Sequence, residues 1–339
     1  MSDKVISPAL SAKMANMALV SAFLVVAMHA FSMSDSPANG TFIWWVYEIF
    51  RMTFTEIAVP YFFLASGYFL ARHCDEVGWW KRELGKRVHS LLIPLAIWLL
   101  LTIAIRSLGF AVGNLLSHRP LSTGLALPQG YFINAQYFLR SLFVFVALSP
   151  IVALAIRHAK SCFILLLFAF YYLLAYFDLI NGWTRYFFPV GGFAYFSLGM
   201  YLQFKGGIRI SRRLRWLLVL AFMIVMAFRI SRLQSVLYFN DPFWYASVPL
   251  CMFVVWSIMP EGKWPAWLTK TAFPIYLMHA IVYYFLFGIA EVFKHRNFAS
   301  ESLCGYLIAV GIAFGVPVAI ANGLRLCSKR IHAIVFGGR

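Results

Sequence analysis

Charge is scarce in this chain: Asp, Glu, Lys and Arg together make up 12% of its 339 residues. A soluble domain of that length needs far more polar surface to face water, so the soluble class is excluded. Acidic residues are the rarer sign, 12 against 29 Lys and Arg, which leaves a formal net charge of +17. Cysteine is sparse and scattered, with Cys74, Cys162, Cys251, Cys304 and Cys327 mostly inside apolar segments and at no paired spacing. That pattern argues against a disulfide or zinc framework and reads as small core hydrophobes. Nucleotide signatures are missing: there is no Walker A loop and no GxGxxG. The Gly-Gly-Phe at 191–193 is too short to count and reads as a place where helices approach closely. HExxH and HxxxE pairs are absent as well, so no metal is expected.

What is abundant is apolar. With 62% hydrophobic residues, 18% aromatics and a mean hydropathy of +0.77, the chain reads as a polytopic membrane protein, an all-α helical bundle in one domain over 1–339. In a soluble protein the +17 charge would point to nucleic acid. Here it fits Lys and Arg gathered in cytoplasmic loops, and no nucleic-acid partner is expected. Spans of about 20 residues are expected near 14–33, 48–71, 88–108, 133–156, 161–178, 186–204, 213–231, 242–260, 268–290 and 303–325. The lead "MSDKVISPALSAK" is short and polar, so the first span is expected to stay uncleaved. With the N-terminus inside and ten alternating spans, 20 of the 29 Lys and Arg fall on the inner side. Counting acidic residues as well, the inner side carries +15 and the outer side +2. Both termini are therefore expected in the cytoplasm.

Ionisable residues at membrane depth cost a few kcal/mol and mark function by default. His29, in "AFLVVAMHAF", falls about 6 Å below the outer end of the first span at 1.5 Å per residue. Glu56 lies about two turns into the second span, with Arg51 at that mouth, and Arg140 lies about two turns into the fourth. Arg185 opens the sixth span, Arg229 and Arg232 share a face at the outer end of the seventh, and His279 falls near the middle of the ninth. These charges gather in the outer half of the bundle. A polar cavity around His29, Glu56, Arg140 and His279 is one reading; a Glu–Arg bridge with the other arginines at the headgroups is the structural alternative. On the inner side, "RHCDEVGWWKRELGKRVHSLLIP" puts Arg82, Lys86 and Arg87 on one helical face, suited to polyphosphates or to anionic lipid headgroups.

Six patches then align in order with a known family: "FLVVAMHA" (23–30), "VPYFFLASGYFLAR" (59–72), "KRVHSLLIPLAIW" (86–98), "QYFLRSLFVFVALSP" (136–150), "YFSLGMYL" (195–202) and "FPIYLMHAIVYYF" (273–285). The chain resembles the acyltransferase-3 family of bacterial inner-membrane O-acyltransferases. The resemblance implies a cytoplasmic acyl-CoA donor, usually acetyl-CoA, with no tightly bound cofactor. It also implies an acceptor hydroxyl on a glycan or lipid-linked sugar presented outside. Membrane lipids are expected partners, and a homodimer is an admissible assembly. The resemblance makes His29 the catalytic histidine and sets Arg82, Lys86, Arg87 and Ser66 against the CoA. It places Arg140 and His279 along the cavity; Arg51, Arg185 and Arg229 are expected to face the acceptor. The family's arginine three turns before the helix-one histidine has no counterpart here, where Ala18 of "NMALVSAF" stands near its place.

Residue chemistry and resemblance lead to one mechanism. A sugar hydroxyl is a poor nucleophile until a base that titrates near neutrality takes its proton, and imidazole meets that need. His29 is expected to be that base or a transient acyl carrier, with Glu56 orienting it. Arg140 or His279 would steady the oxyanion. The rival from another class is a secondary transporter whose outer charges form a substrate or proton relay. Against it, the chain has no inverted halves and no matching interrupted spans.

Overall fold

The computed structural model describes residues 6–32, 40–116, 137–177, 179–180, 188–208, 210–231, 242–293 and 298–338. Every regular element among them is helical. In hydrocarbon a helix is the one open segment that satisfies its own backbone donors and acceptors. α1 runs Pro8–Ser32. α2 (Phe42–Trp45) continues through a π-helical stretch, Val46–Phe54, and a 3₁₀ turn, Thr55–Ile57, into α3 (Ala58–Ala71). α4 (Trp79–Arg87) passes through a second π turn, Val88–Leu92, into α5 (Ile93–Leu116). There follow α6 (Tyr137–Tyr176), α7 (Val190–Phe204), α8 (Arg212–Ser231), α9 (Pro242–Ile258) and the short α10 (Ala266–Thr269). α11 (Ala272–Val292), α12 (Phe298–Glu301), α13 (Leu303–Cys327) and α14 (Lys329–Val335) close the chain.

The regular helix expected over 48–71 is thus interrupted in its first half. A proline explains the 3₁₀ turn at Thr55–Ile57 and the π turn at Val88–Leu92. Pro60 and Pro94 lack the N–H that the carbonyls of Glu56 and Ser90 would accept from in an α-helix. The chain rewinds just before each proline, where the ladder is already broken.

Among the described residues, seven helical stretches are long and apolar enough to cross a membrane: Pro8–Ala30, Phe42–Ala71, Trp79–Gly109, Tyr137–Tyr176, Arg212–Ser231, Ala272–Ala290 and Leu303–Cys327. The spans expected at 186–204 and 242–260 are the shorter helices α7 and α9. Those expected at 133–156 and 161–178 are the two arms of α6, broken at Lys160, whose φ of 51° and ψ of −127° leave the helical region. The break reverses the chain, because Tyr137 and Tyr171 line one cavity. In a straight helix they would stand about 50 Å apart.

α3 and α7 make the most extensive contact in the bundle. A Cβ added at Gly67 would run into the carbonyl of Phe196, and one added at Gly199 into the carbonyl of Leu64. The two helices therefore touch backbone to backbone at reciprocal glycines, as small residues allow in membranes. α1 lies inside, against α3, α11 and α13. α8 by contrast leaves Trp216, Leu217, Leu220 and Met223 exposed, as a lipid-facing helix does. The turn after α3 is pinned to the Lys160 end of α6. There Arg157 pairs with Asp75 at 2.7 Å; farther along the same arm, Trp80 of α4 donates to the Ala147 carbonyl at 3.1 Å.

Candidate active site

Three tyrosines hold α1 in place. Tyr61 donates to the Met14 carbonyl at 2.7 Å, Tyr283 to Val26 at 2.8 Å and Tyr306 to Ala27 at 3.0 Å. A phenol without water needs an acceptor, and a helix carbonyl offers its second lone pair. Asn16 adds bonds to the Pro260 and Gly262 carbonyls at 3.1 and 2.8 Å. The two upper anchors fall two and three residues before His29, so they set the height and rotation of that side chain. Tyr283→Phe and Tyr306→Phe are each expected to lower stability by about 1 kcal/mol. The double variant should lose kcat at an unchanged KM, read from thermal unfolding and steady-state kinetics.

His29 stacks on His279 of α11, with ring centroids 5.1 Å apart and planes 24° from parallel. His279 is 1% exposed. Its Nδ1 lies 2.7 Å from the Tyr276 carbonyl and 3.3 Å from that of Ile275. A carbonyl only accepts, so these contacts assign the ring hydrogen to Nδ1. Nε2, buried and without a hydrogen-bond partner, then presents a lone pair. Neutral His279 is accordingly an acceptor, and it could donate to an oxyanion only after taking up a proton.

The π-helical stretch brings a charged group to the same end. Arg51 lies over the Tyr47 ring at 5.2 Å and is close enough to act electrostatically on His29 and Tyr306. Arg229, 2% exposed, donates to the Thr53 hydroxyl. Glu48 feels both arginines. Sequence reasoning singled out Arg51 and Arg229 but missed Glu48 and Thr53. Which face these residues share with Arg51 depends on the π winding, which spacing along the chain does not reveal. Only the acidic side chain of Glu48, just ahead of Arg51, could have flagged the cluster. Arg185 and Arg232 lie outside the described residues.

Among the described residues, three cavities adjoin α1. One of about 150 Å³, named the outer cavity for the side expected to face outward, is lined by Glu56, Met28, Tyr137, Tyr171, Tyr195 and Tyr245, so the structure places Glu56 at an aromatic pocket. A second, of about 390 Å³, runs from Lys270 and Ser66 past Ala18 to Phe138 and Tyr276. The largest, about 800 Å³, sits between Lys13, Arg215 and Trp256 at the far end of α1 from His29. An aromatic partition separates the first two: Phe63 of the outer cavity meets Phe138 of the inner one at 4.7 Å. Phe138 meets Tyr276 at 5.5 Å, and Tyr276 meets His279 at 6.0 Å. Tyr276 thus links His279 to the wall of the inner cavity, while Met28, the residue before His29 on α1, lines the outer one. Arg140 follows Phe138 by two residues and is half-buried.

On α4 the expected basic face is already paired. Lys86 lies 2.7 Å and Arg87 3.6 Å from the carboxylate of Glu83, which is 3% exposed. Arg82 pairs with Glu76. A hydrogen bond from His73, with Arg82 beside it, holds the Glu76 carboxyl below its ordinary range. Among the described residues no three His, Cys, Asp or Glu side chains converge as metal ligands would.

A family model described as an acyltransferase domain matches residues 19–322, which take in both histidines and all of the inner and outer cavity walls from Leu19 onward. Searches of curated proteins and of solved structures return no match.

Proposed function

The chain belongs to the acyltransferase-3 family, and from that premise we propose that it moves an acyl group, acetyl first among them, from cytoplasmic acyl-CoA to a hydroxyl of a cell-envelope glycan or lipid-linked sugar. It is a multi-pass membrane acyltransferase. The finer reading adds the bacterial inner membrane, ten spans and both termini in the cytoplasm. The supporting observation is the His29–His279 stack, whose neighbour Tyr276 lines the cavity that opens beside Lys270.

In this reading the positive-inside bias puts Lys270, Lys13 and α4 on the donor side. The acyl-pantetheine arm enters the inner cavity past Ser66, and the CoA phosphates meet Arg82 and Lys86. Arg87, only 22% exposed, serves mainly as counter-ion to buried Glu83. His29 takes the proton of the acceptor hydroxyl as its oxygen bonds to the thioester carbonyl carbon. The C–S bond then breaks, and the leaving thiolate takes a proton back from the imidazolium. Alternatively His29 carries the acyl group in two such steps. His279, its tautomer set by the Tyr276 carbonyl, holds the His29 ring by stacking and accepts through Nε2. Arg51 and Arg140 are the cations available to the oxyanion, and with them the absence of an arginine at Ala18 is made good. Arg51 and Arg229 lie at the acceptor's entry, where Arg185 is expected to join them.

The test is transfer of labelled acetyl from acetyl-CoA into envelope glycans by membranes containing this protein. No label in any glycan, with uptake of a solute that needs no acyl-CoA, would favour the transporter reading. A narrower check concerns the donor path. Ser66→Phe fills the inner cavity and is expected to raise the KM for acetyl-CoA about tenfold, with kcat changed less than about twofold. A kcat loss at constant KM would remove that cavity from the donor route.

A further inference from the structure

We propose that the C-terminal tail, residues 329–338, is a clasp that sets the basic face of α4 for its polyphosphate ligand. It rests on the donor reading in naming that ligand CoA; the clasp itself is a matter of packing. α14 begins at Ser328, whose hydroxyl accepts from the Ile331 N–H at 3.2 Å. Its last residues fold onto α5. Trp98 donates its indole N–H to the Val335 carbonyl at 3.1 Å. The same ring stacks on Phe336, with centroids 5.9 Å apart and planes 25° from parallel. Phe336 is fully buried in one core with Leu91 and Trp98, and Leu84 of α4 packs against that core. His332, also buried, sets its ring against Phe336 at 5.0 Å.

The tail grips a stretch whose winding the local backbone does not fix. The π turn Val88–Leu92 joins α4 to α5, and Pro94 deprives the Ser90 carbonyl of its α-helical donor. Gly337 closes directly over that carbonyl, since a Cβ added there would run into the Ser90 oxygen. Its φ of +68° is a second demand that glycine meets without strain. Gly338 completes the lock by donating its N–H to the Ala333 carbonyl at 2.7 Å.

A π winding turns the chain less per residue than an α winding. Whether Val88–Leu92 keeps it therefore decides which way the α4 side chains face relative to α5. Arg87 ends α4 at the edge of this turn, and both it and Lys86 are tied to buried Glu83. A rotation at Ser90 thus passes to Lys86 and, one helical turn farther, to Arg82. The tail acts on the ligand through α4, so Phe336 and Gly337 are positioning residues.

The experiment uses the full-length, detergent-solubilised protein and reads CoA affinity by equilibrium dialysis, amide exchange over residues 83–92, and acetyl-CoA turnover. Phe336→Ala empties the stack and Gly337→Val meets the Ser90 carbonyl. Each is expected to speed exchange over 83–92 about tenfold. Each should also weaken CoA binding about tenfold, with kcat at saturating acetyl-CoA changed less than about twofold. Pantetheine, which lacks the nucleotide phosphates, should bind these variants as it binds the wild type. Phe336→Leu keeps apolar bulk and should recover most of the CoA affinity. Ile334→Ala, on the exposed side of α14, should match the wild type. If Phe336→Ala fails to fold, Trp98→Phe carries the test: it keeps the stack, loses the bond to Val335, and should show smaller changes in the same directions. Unchanged exchange or unchanged CoA affinity in the tail variants overturns the clasp, as does a wild type that binds no CoA. Equal losses for CoA and pantetheine also overturn it and leave the tail a packing element. Tail-dependent CoA binding in a wild type that never turns over acetyl-CoA upholds the clasp and overturns the acyl-transfer reading instead.

Discussion

His29→Ala is expected to abolish transfer of labelled acetyl to the glycan while the protein stays in the membrane at its normal level. General-base catalysis is worth about 10²–10⁴-fold, and if His29 also carries the acyl group the loss is larger. The variant should fold, because α1 is held by other groups: the Tyr61, Tyr283 and Tyr306 bonds to its carbonyls and the Asn16 bonds to Pro260 and Gly262. What it loses is half of the stack with His279. His29→Phe separates the two contributions, since a phenyl ring keeps the stacked surface without a nitrogen. Near-normal product ester from His29→Ala would end the assignment; activity in His29→Phe alone would make the residue a packing element.

The second large effect is structural. Gly67→Val and Gly199→Val are each expected to deplete the folded protein, seen as loss of the monodisperse peak after solubilisation and a lower unfolding temperature. Overpacking a core costs typically about 1–3 kcal/mol when side chains can yield. Here the obstacles are the main-chain carbonyls of Phe196 and Leu64, so α3 and α7 must separate along their whole contact. Gly85→Ala is the control. It lies on α4 with nothing within 4 Å of an added Cβ, and alanine there should gain up to about 1 kcal/mol from helix propensity. Equal behaviour of all three variants would remove the glycine contact as a reason for the fold.

The membrane class, the helical architecture and the family follow from the order of residues alone. Apolar runs and their length are local properties, and the six motif patches are contiguous in the chain. His29 and His279 stand out in the same way, because an ionisable ring in hydrocarbon is an exception wherever it points. That the two rings meet, across 250 residues of chain, is not legible there. These helices are apolar all round, so periodicity names no packing face, and only the packing of α1 against α11 decides the pair. The same limit hid the surroundings of Glu56, which depend on the reversal at Lys160 that brings Tyr171 back beside Tyr137. The charged face of α4 was legible as a cluster, yet its partners were not. Glu83 becomes a buried counter-ion to Lys86 and Arg87 only when the helix is packed. Hydropathy settles which segments leave water, and tertiary contact settles which of their few polar groups face one another.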